Sequence, residues 1–252
     1  MAMNKKYFKT ILFVLAAFSL VACSKQLILK ETKITQQSIS EKLFADTAII
    51  SFYAPYKKSL DSQMNVVVGS SAIALSKNSP DNNLSIFFAD AVAAACKNKN
   101  AIFDFAFPTT NGGIRNSMPQ GDWTLRNMYE LMPFENECVL LTISGKKINE
   151  LVRFVLSKGG QPLAGITIQS KPSTETLVKI AGLPVDTNRN YVVLTSDYLA
   201  NGGDGITAFA NPINKSNLNY KIRDALIDYV LSQKAIGKTI NPTIDGRIRI
   251  DQ

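Results

Sequence analysis

The sequence predicts an α+β domain of layered helices and mixed sheets, and three observations carry that expectation. Some segments place apolar residues at helical spacing, while others are short β-branched or alternating runs, so helices and strands are both present. The two kinds of segment alternate irregularly, which favours a layered α+β arrangement over a doubly wound parallel sheet. No internal repeat or low-complexity block is present.

In chain order, the first segment carries Lys5, Lys6 and Lys9, then an apolar run from Thr10 to Val21, then Ala22 and Cys23. A basic start, a short apolar run and small residues at its end make an export signal. The run is shorter than the ~20 residues needed to span a bilayer. Leu20-Val21-Ala22-Cys23 resembles the lipobox of bacterial lipoproteins, which implies a signal peptide over 1–22 and a lipid on Cys23. The expected location is therefore outside the cytoplasm, lipid-anchored to a bacterial membrane. Residues 23–39 read as a polar tether, and 40–252 as the domain.

Within the domain, Glu41 to Leu60 suits a helix interrupted near Pro55, and the Val-rich Met64 to Leu75 a strand. Asn82 to Cys96 has the spacing of a core-facing helix, with Asp81 or Asn82 as its N-cap. Ala101 to Phe107 reads as a buried strand, Thr124 to Met132 as a short helix, and Glu137 to Ile143 as a strand. A helix follows from Gly145 to about Leu156, then short strands at Gly165 to Ser170 and Leu177 to Ile180. Tyr191 to Thr195 is a β-branched strand, Asn219 to Gln233 an amphipathic helix, and Gly246 to Ile250 a closing strand.

Two glycine clusters, 110–115 and 201–205, then fall just after strands, where loops carry function. Paired glycines permit close backbone approach to a ligand, while Arg115 and Asp204 add one cationic and one anionic group. The chain has no histidine, which removes the commonest general base and a common metal ligand. It also lacks a Gly-x-Ser-x-Gly elbow, so autonomous hydrolysis is disfavoured. Removing residues 1–22 takes away three lysines and no acid, lowering the formal charge from +8 to +5. No basic run with interleaved aromatics suggests a nucleic-acid polymer as partner. Cys96 and Cys138 are the remaining cysteines, able to pair in an exported protein or to serve as buried apolar residues.

Taken in order, Asp81-Asn82-Asn83-Leu84 with Ala89-Asp90-Ala91, Gly112-Gly113-Ile114-Arg115, Pro133-Phe134, Ser144-Gly145-Lys146 and Asp197 to Gly205 resemble the C-terminal domain of the 5'-nucleotidase and UDP-sugar hydrolase family. That resemblance implies a nucleoside pocket. Phe134 and Tyr198 would sandwich the base, Asp204 would accept from the ribose hydroxyls, and Arg115 would address the phosphate or ribose side. Thr110, Asn111, Gly113, Asn201 and Gly203 complete the expected substrate-binding set. Thr110 stands where the family usually has asparagine, with Asn111 able to substitute from the next position. The segment Lys77 to Asp81 lacks the family's additional arginine, and Ser85-Ile86-Phe87 alters its usual helix start. Structural readings stand beside these: Phe134 and Tyr198 as packing aromatics, Asp204 as a turn former, and Arg115 as a helix cap or ion-pair partner.

In the family a separate N-terminal metallophosphatase domain holds two metals and performs hydrolysis. The resemblance therefore implies no catalytic residue, metal or cofactor in this chain, with the divalent metals in a separate metallophosphatase partner. The expected function is nucleoside or nucleotide recognition within a split 5'-nucleotidase. The alternative is a non-enzymatic lipoprotein that binds nucleosides for capture or uptake.

Overall fold

The computed structural model describes residues 31–40, 43–77, 81–171 and 174–250, in two compact units, 1–50 and 51–252. The expected export signal and Cys23 lie outside the described residues. In the first unit, residues 31–40 are exposed coil. Helix α1 (Thr47–Met64) starts there, and Asp46 Oδ1 accepts from the N–H groups of Ala48 and Ile49 at 2.8 and 3.2 Å. The expected interruption at Pro55 does not occur, because the helix runs through it. Pro55 lies on a water-exposed helix, where solvent is available at the point that the ladder loses a donor.

In the second unit the expected strand between 64 and 75 shortens to β1 (Val67–Ser71), paired antiparallel with β3 (Gly121–Thr124), which sequence reading did not anticipate. Helix α2 (Asn83–Asn98) is capped by Asn82, whose side chain accepts from Ser85 N–H at 2.8 Å. Short strand β2 (Phe105–Phe107) covers only the end of the expected 101–107 strand. At the start of α3 (Leu125–Leu131), Asn127 Oδ1 accepts from Thr124 N–H at 2.8 Å.

Strand β4 (Glu137–Ser144) and helix α4 (Gly145–Ser157) follow as expected, then β5 (Ile166–Lys171), β6 (Thr174–Ile180) and β7 (Leu183–Pro184). Next come β8 (Asn190–Ser196), the one-turn α5 (Asp197–Ala200), β9 (Asn214–Lys221), α6 (Ile222–Ala235) and β10 (Ile248–Ile250). The helix expected from Asn219 starts three residues later, because the preceding polar segment is an edge strand. β9 pairs with β4 through a register shift, and Asn219 has φ 50°.

The central sheet has the order β2-β8-β4-β9, and a second sheet the order β10-β5-β6-β7. Alternation along β4 divides the core between the faces of the central sheet. Cys138 and Leu140 pack with α2 and α6 residues such as Phe88 and Leu226. Val139, Leu141 and Ile143 pack with Ile148 and Leu151 of α4 and Ile168 of β5. The mixed pairings and helices on both sides of the central sheet make this the α+β architecture expected from sequence.

Cys96 and Cys138 are both free and buried. Hydrogen bonding with Cys96, together with burial, pushes the Cys138 thiol well above its ordinary range.

Candidate functional site

Strands β2 and β8 run parallel as neighbours, with Phe107 opposite Thr195. Their C-terminal ends therefore deliver both glycine loops to one edge of the central sheet. Thr195 Oγ1 reinforces the join by donating to Phe107 O at 2.8 Å. A third segment, residues 132–136, enters the same edge before β4. Asp197 ties it in by accepting from Glu137 N–H at 3.1 Å while also accepting from Tyr198 N–H at 2.8 Å.

These segments enclose a cleft of about 390 Å³ lined by Thr109, Gly112, Gly113, Arg115, Phe134, Asn136, Tyr198 and Asp204. Its size lies within the ~300–1,000 Å³ range of small-molecule sites. Five of the nine expected binding residues line it: Gly113, Arg115, Phe134, Tyr198 and Asp204. Thr110 reaches Asp204 from beneath, and its Oγ1 donates to Asp204 Oδ2. Together with Asp204 it lines a smaller adjoining recess.

The first glycine loop is braced from several sides. Asn111 does not line the cleft; its Oδ1 accepts from Ser85 Oγ at 2.8 Å, and its Nδ2 donates to Gly160 O at 3.0 Å. Its backbone N–H donates to Gln161 Oε1 at 2.8 Å. Lys77 Nζ donates to Asn111 O and Ile114 O at 2.8 and 2.6 Å. Burial lowers the Lys77 ammonium's pKa from its ordinary value, and the charge of nearby Arg115 adds to that shift. A Cβ on Gly113 would lie 2.0 Å from Thr109 Oγ1, so only glycine fits without displacement there.

In the second loop, Tyr198 lies flat against Gly203, where an added Cβ would stand 2.4 Å from the ring. Tyr198 Oη donates to Asp204 Oδ1 at 3.0 Å and accepts from Asp204 N–H at 3.2 Å. Asp204 adopts the left-handed region at φ 55° and ψ 16°, which Asp tolerates better than most residues. Asn201 faces away from the cleft, accepting from Lys215 Nζ at 2.8 Å.

Phe134 receives the Arg115 guanidinium over its ring at 4.9 Å, an attractive cation–π geometry. The buried Arg223, at the start of α6, holds the backbone of that segment by donating to the carbonyls of Met132 and Phe134, each at 3.3 Å. Its guanidinium also lies over the Tyr129 ring at 4.1 Å and pairs with Glu135. Hydrogen bonds from Arg223 and Lys221 hold the Glu135 carboxyl down at about 2.

Sequence reasoning missed Asn136 and Thr109 in the cleft and the braces Gly160 and Gln161, and read Gly112 only as part of the first glycine cluster. Asn136 had a usable signal, since it stands two residues after Phe134 on the same loop. The braces had none; their segment reaches the site through the bridge between Ala164 and Ala106. Among the described residues no group of three or more His, Cys, Asp or Glu side chains is arranged to hold a metal ion. The arrangement offers two aromatics, a guanidinium and a carboxylate around one cleft: binding chemistry for a flat, polar, hydroxylated molecule.

Residues 63–211 match the model of the 5'-nucleotidase C-terminal domain. The chain is 30% identical over 218 residues to the trifunctional nucleotide phosphoesterase protein YfkN of Bacillus subtilis, covering 77% of this chain and 14% of that protein. It is 29% identical over 187 residues to cell wall protein Lmo0130 of Listeria monocytogenes, covering 66% and 23%. Its fold is similar to that of a 5'-nucleotidase precursor from Thermus thermophilus, with TM-score 0.65 and 23% identity over 80% of this chain and 42% of that one. The chain thus spans less than half the length of these proteins. A cleft built from the matched segments and a family match over more than half the sequence lead to one conclusion: this chain belongs to the 5'-nucleotidase C-terminal domain family.

Proposed function

We propose that this protein recognises the nucleoside part of a nucleotide and acts with a separate metallophosphatase chain in nucleotide breakdown. The observation that carries the reading is the joint placement of Phe134, Tyr198 and Asp204 on one cleft. A base offers a π-face to either aromatic, and stacking contributes roughly 1–3 kcal/mol per base. Asp204 offers acceptors to sugar hydroxyls, and Asn136 offers both a donor and an acceptor to a base edge. Arg115 supplies paired donors suited to a phosphate.

In this reading hydrolysis belongs to the metallophosphatase partner, a division of labour that the chain's membership of the 5'-nucleotidase C-terminal domain family supports. Export fits the basic and apolar leader of the sequence and the likeness to a cell wall protein. Lipidation at Cys23 and attachment to a membrane complete the proposal.

Calorimetric titration of the full chain in detergent with AMP and adenosine tests it, beside Asp204→Ala. The expected result is binding by wild type that weakens about 10–100-fold in the variant, the effect of losing hydrogen bonds to a charged group. Equal, unaltered binding by the variant would sink the assignment. One observation favours a second reading, nucleoside capture without an enzymatic partner: Lys77 directs its ammonium to loop carbonyls, which leaves Arg115 as the cation lining the cleft among the described residues. Comparable affinity for AMP and adenosine would favour capture, whereas preference for AMP supports the split nucleotidase.

A further inference from the structure

The carboxylate assigned to sugar recognition already carries two hydroxyls of this chain. Thr110 Oγ1 donates to one Asp204 oxygen and Tyr198 Oη to the other. One hydroxyl per oxygen is also the pattern that a vicinal diol presents to a carboxylate. The pair is held from outside the carboxylate. Thr110 is buried at the end of the braced first loop, and the Tyr198 ring rests against Gly203. Tyr198 Oη further accepts from Asp204 N–H, so a single phenol oxygen bridges backbone and side chain of the same left-handed residue.

We propose that Thr110 and Tyr198 are positioning residues that stand in for sugar hydroxyls on Asp204, so that recognition tolerates the loss of a ligand hydroxyl. The proposal rests on the nucleoside reading above and deepens it. A site whose acceptor depends on the ligand's hydroxyl rejects an analogue lacking it strongly, because closure then leaves the acceptor dry and unpaired. Asp204 escapes that penalty. When a ligand hydroxyl is missing, the carboxylate keeps or regains its internal donor. When the hydroxyl is present, part of its contribution is offset by the donor that it displaces or crowds. The ligand class is therefore nucleosides with one or two free hydroxyls on the sugar edge, ribose and 2'-deoxyribose alike.

The test compares adenosine with 2'-deoxyadenosine by calorimetry on the full chain in detergent, for wild type, Tyr198→Phe and Thr110→Val. Tyr198→Phe retains the ring and removes only the hydroxyl. Wild type should bind the two nucleosides within about threefold of one another, and each variant should widen the preference for adenosine by about tenfold, as expected for one hydrogen bond to a charged group. Amide hydrogen exchange without nucleoside supplies the second readout. The Asp204 N–H should be protected in wild type and exchange about tenfold faster in Tyr198→Phe, while Thr110→Val leaves it protected. An affinity ratio that neither variant moves, or an unprotected Asp204 amide in wild type, overturns the proposal. If neither nucleoside binds wild type, the nucleoside reading is what falls, and the exchange rates still decide whether Tyr198 holds Asp204.

Discussion

The two glycine loops look alike in sequence and are held in different ways. The first is fastened by side chains from three other segments: Lys77, Ser85 and Gln161 all bond to it. The second is held by its own turn, by Tyr198, and by side-chain bonds from Thr110 and Lys215. Asn111 and Asn201 express the contrast. One is enclosed in a polar network, and the other is an exposed partner of an exposed lysine. The first loop is thus scaffold with a cleft-facing edge. The second presents Tyr198 and Asp204 to the cleft.

Substitutions can break that contrast or sharpen it. The largest expected effect is on the braced side: Asn111→Ala removes both side-chain bonds and leaves Gly160 O without its donor, costing about 3 kcal/mol in denaturant unfolding. A loss below about 0.5 kcal/mol, the usual range of a surface substitution, would show that the network is not what holds the loop. Next comes Gly203→Ala in the second loop. Its methyl must push the Tyr198 ring aside, so adenosine affinity should fall about tenfold, roughly 1.4 kcal/mol, while stability changes less than for Asn111→Ala.

A smaller effect arises at the aromatic wall that both loops face. Glu135 is held from its ordinary 4.5 to about 2 by Arg223 and Lys221. A depressed carboxyl stabilises the fold fully above its unfolded value. That contribution should fade as pH drops from about 4.5 towards 2, and Glu135→Gln should flatten the decline in acid unfolding curves. The smallest effect is expected for Asn201→Ala, with stability within about 0.5 kcal/mol of wild type. A larger loss would erase the contrast between the loops.

Legibility in the sequence followed the same division. The β-branched run at 191–195 and the apolar run at 101–107 marked two buried strands, and the glycines after each marked loops, so the convergence of the loops was readable. Asn82 was readable as a cap because its chemistry is local. Strand β9 was not, since Asn214–Lys221 is polar and forms an edge that takes its shape from β4. At the site, aromatic and charged identities were visible, but the role of Asn111 was not. An asparagine in a glycine loop suits ligand contact and internal bracing equally well, and only the arrival of Gly160 and Gln161 decides between them.

The parallel pairing of β2 with β8 also sets when the cleft can exist. Phe107 and Thr195 are 88 residues apart, and Thr110 and Asp204 are 94 apart, so the walls meet only after a long stretch of chain has been closed into a loop. Local helices such as α2 and α4 can form before that closure; the recognition surface cannot. The cleft therefore assembles late, and under the proposed function ligand affinity would double as a reporter of completed folding. A chain stalled with native helix content but unpaired β2 and β8 would look folded by circular dichroism and bind nothing.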